Sequence, residues 1–393
     1  MSNKLSLFLI FLCCFFTAAP SMADSKNPAN HPFRAAWVTT VANTDWPSSP
    51  YLNAQQQQEE FIELLDGLQA LGFNAVIVQV HPLADAFWPS KTEPWSFYLT
   101  GQQGKDPGYN PLAFMIEQTH KRNMEFHAWF NPYRVQHLNK IPLAANHPAN
   151  LHPEWLIQYD QRIYYNPALP QVRQHIVDVV REVVQNYDVD AIHFDDYFYP
   201  YPAKKYFIRL PFPDRKDYKR FGQGLSKADW RRENVNILIR DIHQMIKQEK
   251  PHVKFGISPF GVWRNQEADP TGSATRGISN YDDIYADTRT WMANGWIDYI
   301  VPQLYYPFDD ANTPFDTLLD WWIAETNKFP PVTLYIGLGT YQTFFWTDSK
   351  ELEKQIDMLR QKKVAGEVHF TASSILQHPY VLRRIKRAYG LTD

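Results

Sequence analysis

From Phe33 onward, short runs rich in β-branched and aromatic residues alternate with longer stretches of helical periodicity, eight times in order. No other feature of the chain constrains its fold as strongly. A parallel neighbour can be reached only through a crossover, so repeated strand-then-helix units build a parallel sheet covered by helices. Strands are expected at 34–41, 74–81, 124–131, 190–196, 254–260, 298–305, 333–339 and 367–371. Helices are expected at 55–71, 111–123, 171–186, 228–248, 284–294, 315–328, 350–363 and 380–389. Eight units predict a (β/α)8 TIM barrel. A doubly wound open sheet shares the alternation, but the count of eight favours closure.

Loop lengths locate the working face. Helix-to-strand links are tight, Gly72-Phe73 before the second strand and Val189 before the fourth, whereas residues 82–110, 132–170, 197–227 and 261–283 all follow strands and are rich in Pro, Tyr, Trp, Asn and Asp. In a barrel such βα loops crown the C-terminal face, where active sites sit. The charge of −3 argues against nucleic acid as a partner, because that affinity rests on cations neutralising phosphates. The aromatic content, 13 Trp, 22 Tyr and 25 Phe, is high enough that some rings are expected to line a surface.

The first 23 residues read as a cleaved secretory signal: Lys4, an apolar run over 5–19, then Ser21-Met22-Ala23 with small residues at −3 and −1. Residues 24–393 are then expected as one periplasmic domain. Both cysteines, Cys13 and Cys14, fall inside the signal, so disulfides, thiol nucleophiles and Cys-ligated zinc are not expected in the mature protein. No later apolar stretch reaches membrane-spanning length, so stable membrane insertion is not expected.

The fourth strand ends in Asp195-Asp196-Tyr197. Adjacent carboxylates repel and are costly unless a task or partner holds them. Alternation sends Ile192 and Phe194 toward the helices and His193 and Asp195 into the barrel. Asp195 is the first candidate for a catalytic carboxylate, with Asp196 beside it on the other parity. Other strand ends carry His81, His127, Asn131, Tyr133, Arg134, Trp263, Arg264, Gln303 and Tyr305. Amide, imidazole, phenol, indole and guanidinium groups together suit a ligand with many hydroxyls and flat apolar faces, and a sugar chain fits.

Glycoside hydrolysis uses two carboxyl groups and requires no cofactor. A second could come from Asp45, Glu267, Asp269, Asp309 or Asp310, whereas Glu367 starts the eighth strand and falls on the opposite, structural end. Two other readings remain open. His81, His127 and His193 with Asp195 could form a zinc site for amide or ester hydrolysis. A non-catalytic glycan-binding protein would keep the aromatics and need no acids.

The stretches Phe33–Val41 with Asp45-Trp46-Pro47, His127–Arg134, Phe194–Tyr199, Ser258–Asn265, Ser226–Arg232, Tyr285–Arg289 and Tyr335-Ile336-Gly337 together resemble the glycosyl hydrolase-like 10 family, in the right order over nearly the whole mature chain. The resemblance is greatest to division-site members from Gram-negative bacteria. It implies a cell-envelope barrel hydrolase acting on peptidoglycan glycan strands stripped of stem peptides, with division proteins as candidate partners. Carried over by motif, Asp195 and Asp196 take the catalytic positions, and Asn131, Tyr133, Arg134, Trp263, Arg264, Gln303 and Tyr305 contact glycan. Apart from the resemblance, His81, His127, His193 and Tyr197 are expected as further substrate contacts from their places at or near strand ends. Two departures stand out. The chain lacks a lipobox, and Phe370–Ser374 lacks the acidic residue expected after the eighth strand, so no catalytic role is carried to that loop.

Overall fold

The computed structural model describes residues 32–136 and 141–392; the expected signal at 1–23, with both cysteines, lies outside them. Eight barrel strands alternate with eight helices. The strands are β1 (Phe33–Val38), β2 (Ala75–His81), β3 (Glu125–Phe130), β4 (Ala191–Phe194), β5 (Lys254–Ile257), β6 (Tyr299–Ile300 continued by Gln303–Leu304), β7 (Thr333–Leu334 continued by Ile336–Leu338) and β8 (Gly366–His369). The helices are α1 (Ala54–Ala70), α2 (Pro111–His120), α3 (Pro170–Asn186), α4 (Lys227–Glu249), α5 (Thr288–Ala293), α6 (Phe315–Thr326), α7 (Glu351–Gln361) and α8 (Pro379–Tyr389). Every neighbouring pair of strands is parallel, and β1 bonds both β2 and β8, which closes the barrel.

The expected helices form where caps specify them. Asn53 and Gln56 make a reciprocal capping box on α1, and Pro111 and Pro170 occupy first-turn positions where no N–H is needed. Helix α5 starts four residues later than its periodicity suggests, because Tyr285 has φ 58° and the Asp287 side chain accepts from the Thr290 N–H as an N-cap. Strand β6 is interrupted at Pro302, which lacks the N–H a ladder needs, although its carbonyl still accepts from Gly337 at 3.0 Å. Strands β4 and β5 stop earlier than expected because beyond them the backbone opens into the loops of the active face.

Parity holds around the barrel. Ala35, Trp37, Ile77, Trp129, Ala191, Tyr299 and Val368 pack in one inner cluster, while Ile192, Phe194, Val76 and Ala128 join the outer core beneath the helices. Gly256 makes the inner packing feasible: a Cβ there would lie 2.0 Å from the Tyr299 ring. Gly256→Ala should therefore destabilise the fold by about 1–3 kcal/mol or more through overpacking. An unchanged urea midpoint would show that the ring has room to move.

The long loops carry structure of their own. Arg134–Gln136, Leu156–Tyr159 and Arg162–Tyr165 form a three-stranded antiparallel sheet. Its hairpin turns at Asp160-Gln161, both in the left-handed region with φ 46° and 62°, as a tight two-residue turn requires. This sheet brings Arg134 and Arg162 to one side of the barrel mouth.

Candidate active site

A cavity of about 450 Å³ opens at the C-terminal end of the barrel. Trp37 and Trp129 form part of its floor, and Tyr197, Tyr201, Tyr305 and Phe370 are among its walls. Asp195 and Asp196 are the only acidic residues lining it among the described residues.

Asp195 is held by three N–H donors. Asn131 Nδ2 donates to one carboxyl oxygen at 3.0 Å, and Gln303 Nε2 and the Asp196 backbone N–H donate to the other at 3.3 and 2.8 Å. The direction of this network is set from the first strand's loop. The backbone N–H groups of Thr40 and Val41 can only donate, so they fix the Gln79 carbonyl oxygen toward themselves at 3.0 and 2.9 Å. The Gln79 amide nitrogen then donates to the Asn131 oxygen, which leaves the Asn131 nitrogen for Asp195. Five strand ends thus orient one carboxylate.

Asp196 has a different environment. Burial, and then the adjacent Asp195 carboxylate, push its carboxyl well above the usual range, against the opposing pull of the Tyr201 hydroxyl and the Arg134 charge. Asp195 lies close enough to interact with it directly as well as through charge. Tyr201 donates its hydroxyl to Asp196, and burial keeps that phenol protonated well above its ordinary range. The cavity therefore holds a carboxyl group pushed toward its protonated form, next to a carboxyl group fixed by N–H donors.

Of the residues expected at the site, Asp195, Asp196, Arg134, Tyr197, Gln303 and Tyr305 line the cavity, and Asn131 lies directly behind Asp195. The others are placed elsewhere. His127 and His193 lie deeper in the barrel and share the Tyr299 hydroxyl at 2.9 and 3.0 Å. Burial and the charge of His127 hold His193 well below the usual imidazole range, so it stays neutral. His81 is buried beside Glu93, which burial would raise but His81 and His175 hold at about 2. The proposed zinc set of three histidines with Asp195 therefore does not converge, and no group of three potential ligands does so among the described residues. Tyr133 is fully buried in the outer core. Trp263 packs under Arg289 and against Trp321, and Arg264 is engaged by Asp282 and Asp269.

The alternative second carboxyls are also occupied or remote. Asp45 accepts from the Thr39 and Ser373 backbone N–H groups at 2.7 and 2.8 Å and so ties the β1 and β8 loops together. Asp310 closes a turn by accepting from Asn312 and Thr313, and Glu267 and Asp309 are exposed. Glu367 is buried against Arg34 and Tyr389 beneath α8. A second cavity of about 320 Å³ has Asp283 as its acid, already paired with Arg209 at 3.1 Å. Tyr201 carries no signal in the sequence, whereas Gln79 and Trp129 stand among the strand-end amide and indole groups, and their inward parity is what distinguishes them as site residues.

Residues 32–350 match the model of a family described as glycosyl hydrolase-like 10. Among curated relatives, glycosyl hydrolase YngK of Bacillus subtilis is 48% identical over 384 residues, 95% of this chain and 74% of the relative. Glycosyl hydrolase DigH of Escherichia coli is 42% identical over 366 residues, 86% of this chain and 82% of the relative. Among solved structures, the PgaB (BpsB) glycoside hydrolase domain from Bordetella bronchiseptica superposes with a TM-score of 0.56 at 12% identity, covering 90% of this chain and 97% of that one. The α-L-fucosidase isoenzyme 2 from Paenibacillus thiaminolyticus gives 0.56 at 13% identity, and the match covers 92% of this chain and about half, 49%, of that one. These two likenesses are of fold.

Proposed function

Because the chain belongs to the glycosyl hydrolase-like 10 family and is a glycoside hydrolase, we propose that it cleaves peptidoglycan glycan strands that have lost their stem peptides, with Asp196 as the proton donor. The signal segment would deliver it to the periplasm, where that polymer lies, and association with division proteins belongs to the same reading. The observation that carries the chemistry is the buried Asp196, its carboxyl pushed up by burial and by Asp195, beside a fixed Asp195 in an aromatic-walled cavity.

The pairing also bears on the mechanism. Two carboxyls that flank a glycosidic bond stand about 5–9.5 Å apart, depending on stereochemical outcome. Asp195 and Asp196 follow one another on one strand end and interact directly, and no third acid lines the cavity among the described residues. That arrangement favours the substrate's own 2-acetamido group as the nucleophile. Asp196 gives its proton to the leaving oxygen as the C1–O bond breaks, and the acetamido carbonyl oxygen bonds C1. Asp195 accepts the acetamido N–H and balances the positive charge of the resulting ring. Water then adds to C1, returns a proton to Asp196 and displaces the acetamido oxygen, leaving a reducing end of retained configuration.

Product mass spectrometry with stripped, peptide-bearing and N-deacetylated stripped strands tests this reading. New reducing ends should come from the N-acetylated stripped strands, remain after dialysis against a chelator, and fall at least about 100-fold on deacetylation, the scale of a lost intramolecular nucleophile. Equal cleavage of deacetylated strands would overturn the acetamido role. Retention of strands without any cleavage would point to a binding protein.

A further inference from the structure

Beside the catalytic cavity lies a smaller one of about 100 Å³, lined by Arg134, Tyr159, Arg162, Tyr164, Tyr197 and Tyr201. Arg134, Tyr197 and Tyr201 line both cavities, so the two adjoin. Arg134 is only 8% exposed, yet among the described residues no carboxylate lies within ion-pair distance and no hydrogen-bond acceptor is seated on its guanidinium. Its guanidinium carbon instead sits 3.9 Å from the centre of the Tyr197 ring. Across the cavity, Arg162 makes a loose 3.5 Å contact with Asp160 and a hydrogen bond to the Tyr164 hydroxyl.

The Arg134 guanidinium nitrogens are not among the fully buried unpartnered atoms of the described residues, so they open on the cavity while Tyr197 covers one face of the fork, and an anion entering there would meet a cation with no carboxylate partner. The other four lining residues are tyrosines; Tyr159 and Tyr201 already donate to the Leu210 carbonyl and to Asp196, so the Tyr164 and Tyr197 hydroxyls are the ones that can donate to an anion without adding negative charge. A guanidinium fork matches a carboxylate in shape as well as in charge. At about 100 Å³ the side cavity has room for a short acid group.

We propose that this side cavity binds the free lactyl carboxylate of an N-acetylmuramic acid residue next to the scissile bond, with Arg134 as its ion-pair partner. The inference rests on the wall-glycan reading above and adds the recognition device. Removal of a stem peptide turns the lactyl amide into a carboxylate, so the enzyme would detect that removal as a new negative charge and as freed space.

The test uses full-length mature Asp196→Asn protein, which should hold the polymer without cutting it. Binding is measured for amidase-stripped strands and for the same strands with their lactyl carboxyls converted to primary amides, a neutral near-isostere. Amidation should weaken binding at least about tenfold, as expected for loss of a buried charge partner. Adding Arg134→Gln should bring the two affinities together, and Arg134→Lys should restore part of the difference. Arg134 also acts on Asp196 through its charge, but that effect is common to both polymers and cancels in their ratio. If Arg134→Gln fails to fold, the more exposed Arg162→Gln should still reduce the preference. Equal binding of both polymers by the parent protein, or a preference that survives Arg134→Gln, overturns this inference alone. Absence of binding to either polymer overturns the wall-glycan reading with it.

Discussion

Asp196→Asn should lower kcat by about 10²–10⁴-fold, the usual contribution of a general acid, with KM little changed. Asn has nearly the same shape and can still accept the Tyr201 hydroxyl, but it has no proton to give the leaving oxygen. The wild-type alkaline limb should vanish with it, since kcat falls there as Asp196 ionises. Stability should move the other way. In the unfolded chain Asp196 ionises in the ordinary carboxylate range, whereas in the fold burial and Asp195 keep it protonated to higher pH. The native state therefore binds the extra proton between those two values. The stability this group contributes is complete at low pH and declines as pH rises through the window. Asn removes the decline, so the variant should unfold at a temperature equal to or above that of the wild type on the alkaline side. An unchanged alkaline slope of Tm against pH would place the raised group elsewhere.

Asp195→Asn should reduce kcat by about 10²–10³-fold, because it removes the charge that balances the developing positive ring. Its stability effect should be opposite in sign to that of Asp196→Asn. The Asp195 carboxyl receives N–H donors on both oxygens, so an amide in its place must turn its own NH₂ toward one of them. Asn131 cannot reverse to accommodate it without breaking the chain of amides that Thr40 and Val41 orient through Gln79. One buried donor is left unmatched, at a cost of about 1–3 kcal/mol. Urea unfolding of the two variants side by side checks the contrast, and equal midpoints would remove the distinction drawn between the two acids.

Reading along the chain succeeded where the physics is local. Alternating parity sent His193 and Asp195 inward and Ile192 outward because successive side chains on a strand must point to opposite faces. Parity says nothing about depth, however. His127 points inward like Asp195, but strand stagger sets it level with Ala191, four residues below, so it joins the barrel floor and not the site. The second acid was hard to find for a related reason. Asp45 has the residue type and loop position of a catalytic group, yet its partners Thr371 and Ser373 lie 326 and 328 residues away. Its nearby partner along the chain is the Thr39 backbone N–H, which any residue at that position except proline would offer and which therefore leaves no mark in the sequence.

The eightfold strand-helix alternation, the face each strand residue takes, and the carboxylate pair at the end of β4 were determined by the sequence alone, since each depends on neighbours a few residues apart. Tertiary structure decided which carboxyl is pushed toward its protonated form, which amides aim at the other, and which arginine stands without a counter-ion. Those properties come from desolvation and from pairing between strands and loops distant in the chain, and they exist only once the barrel has closed.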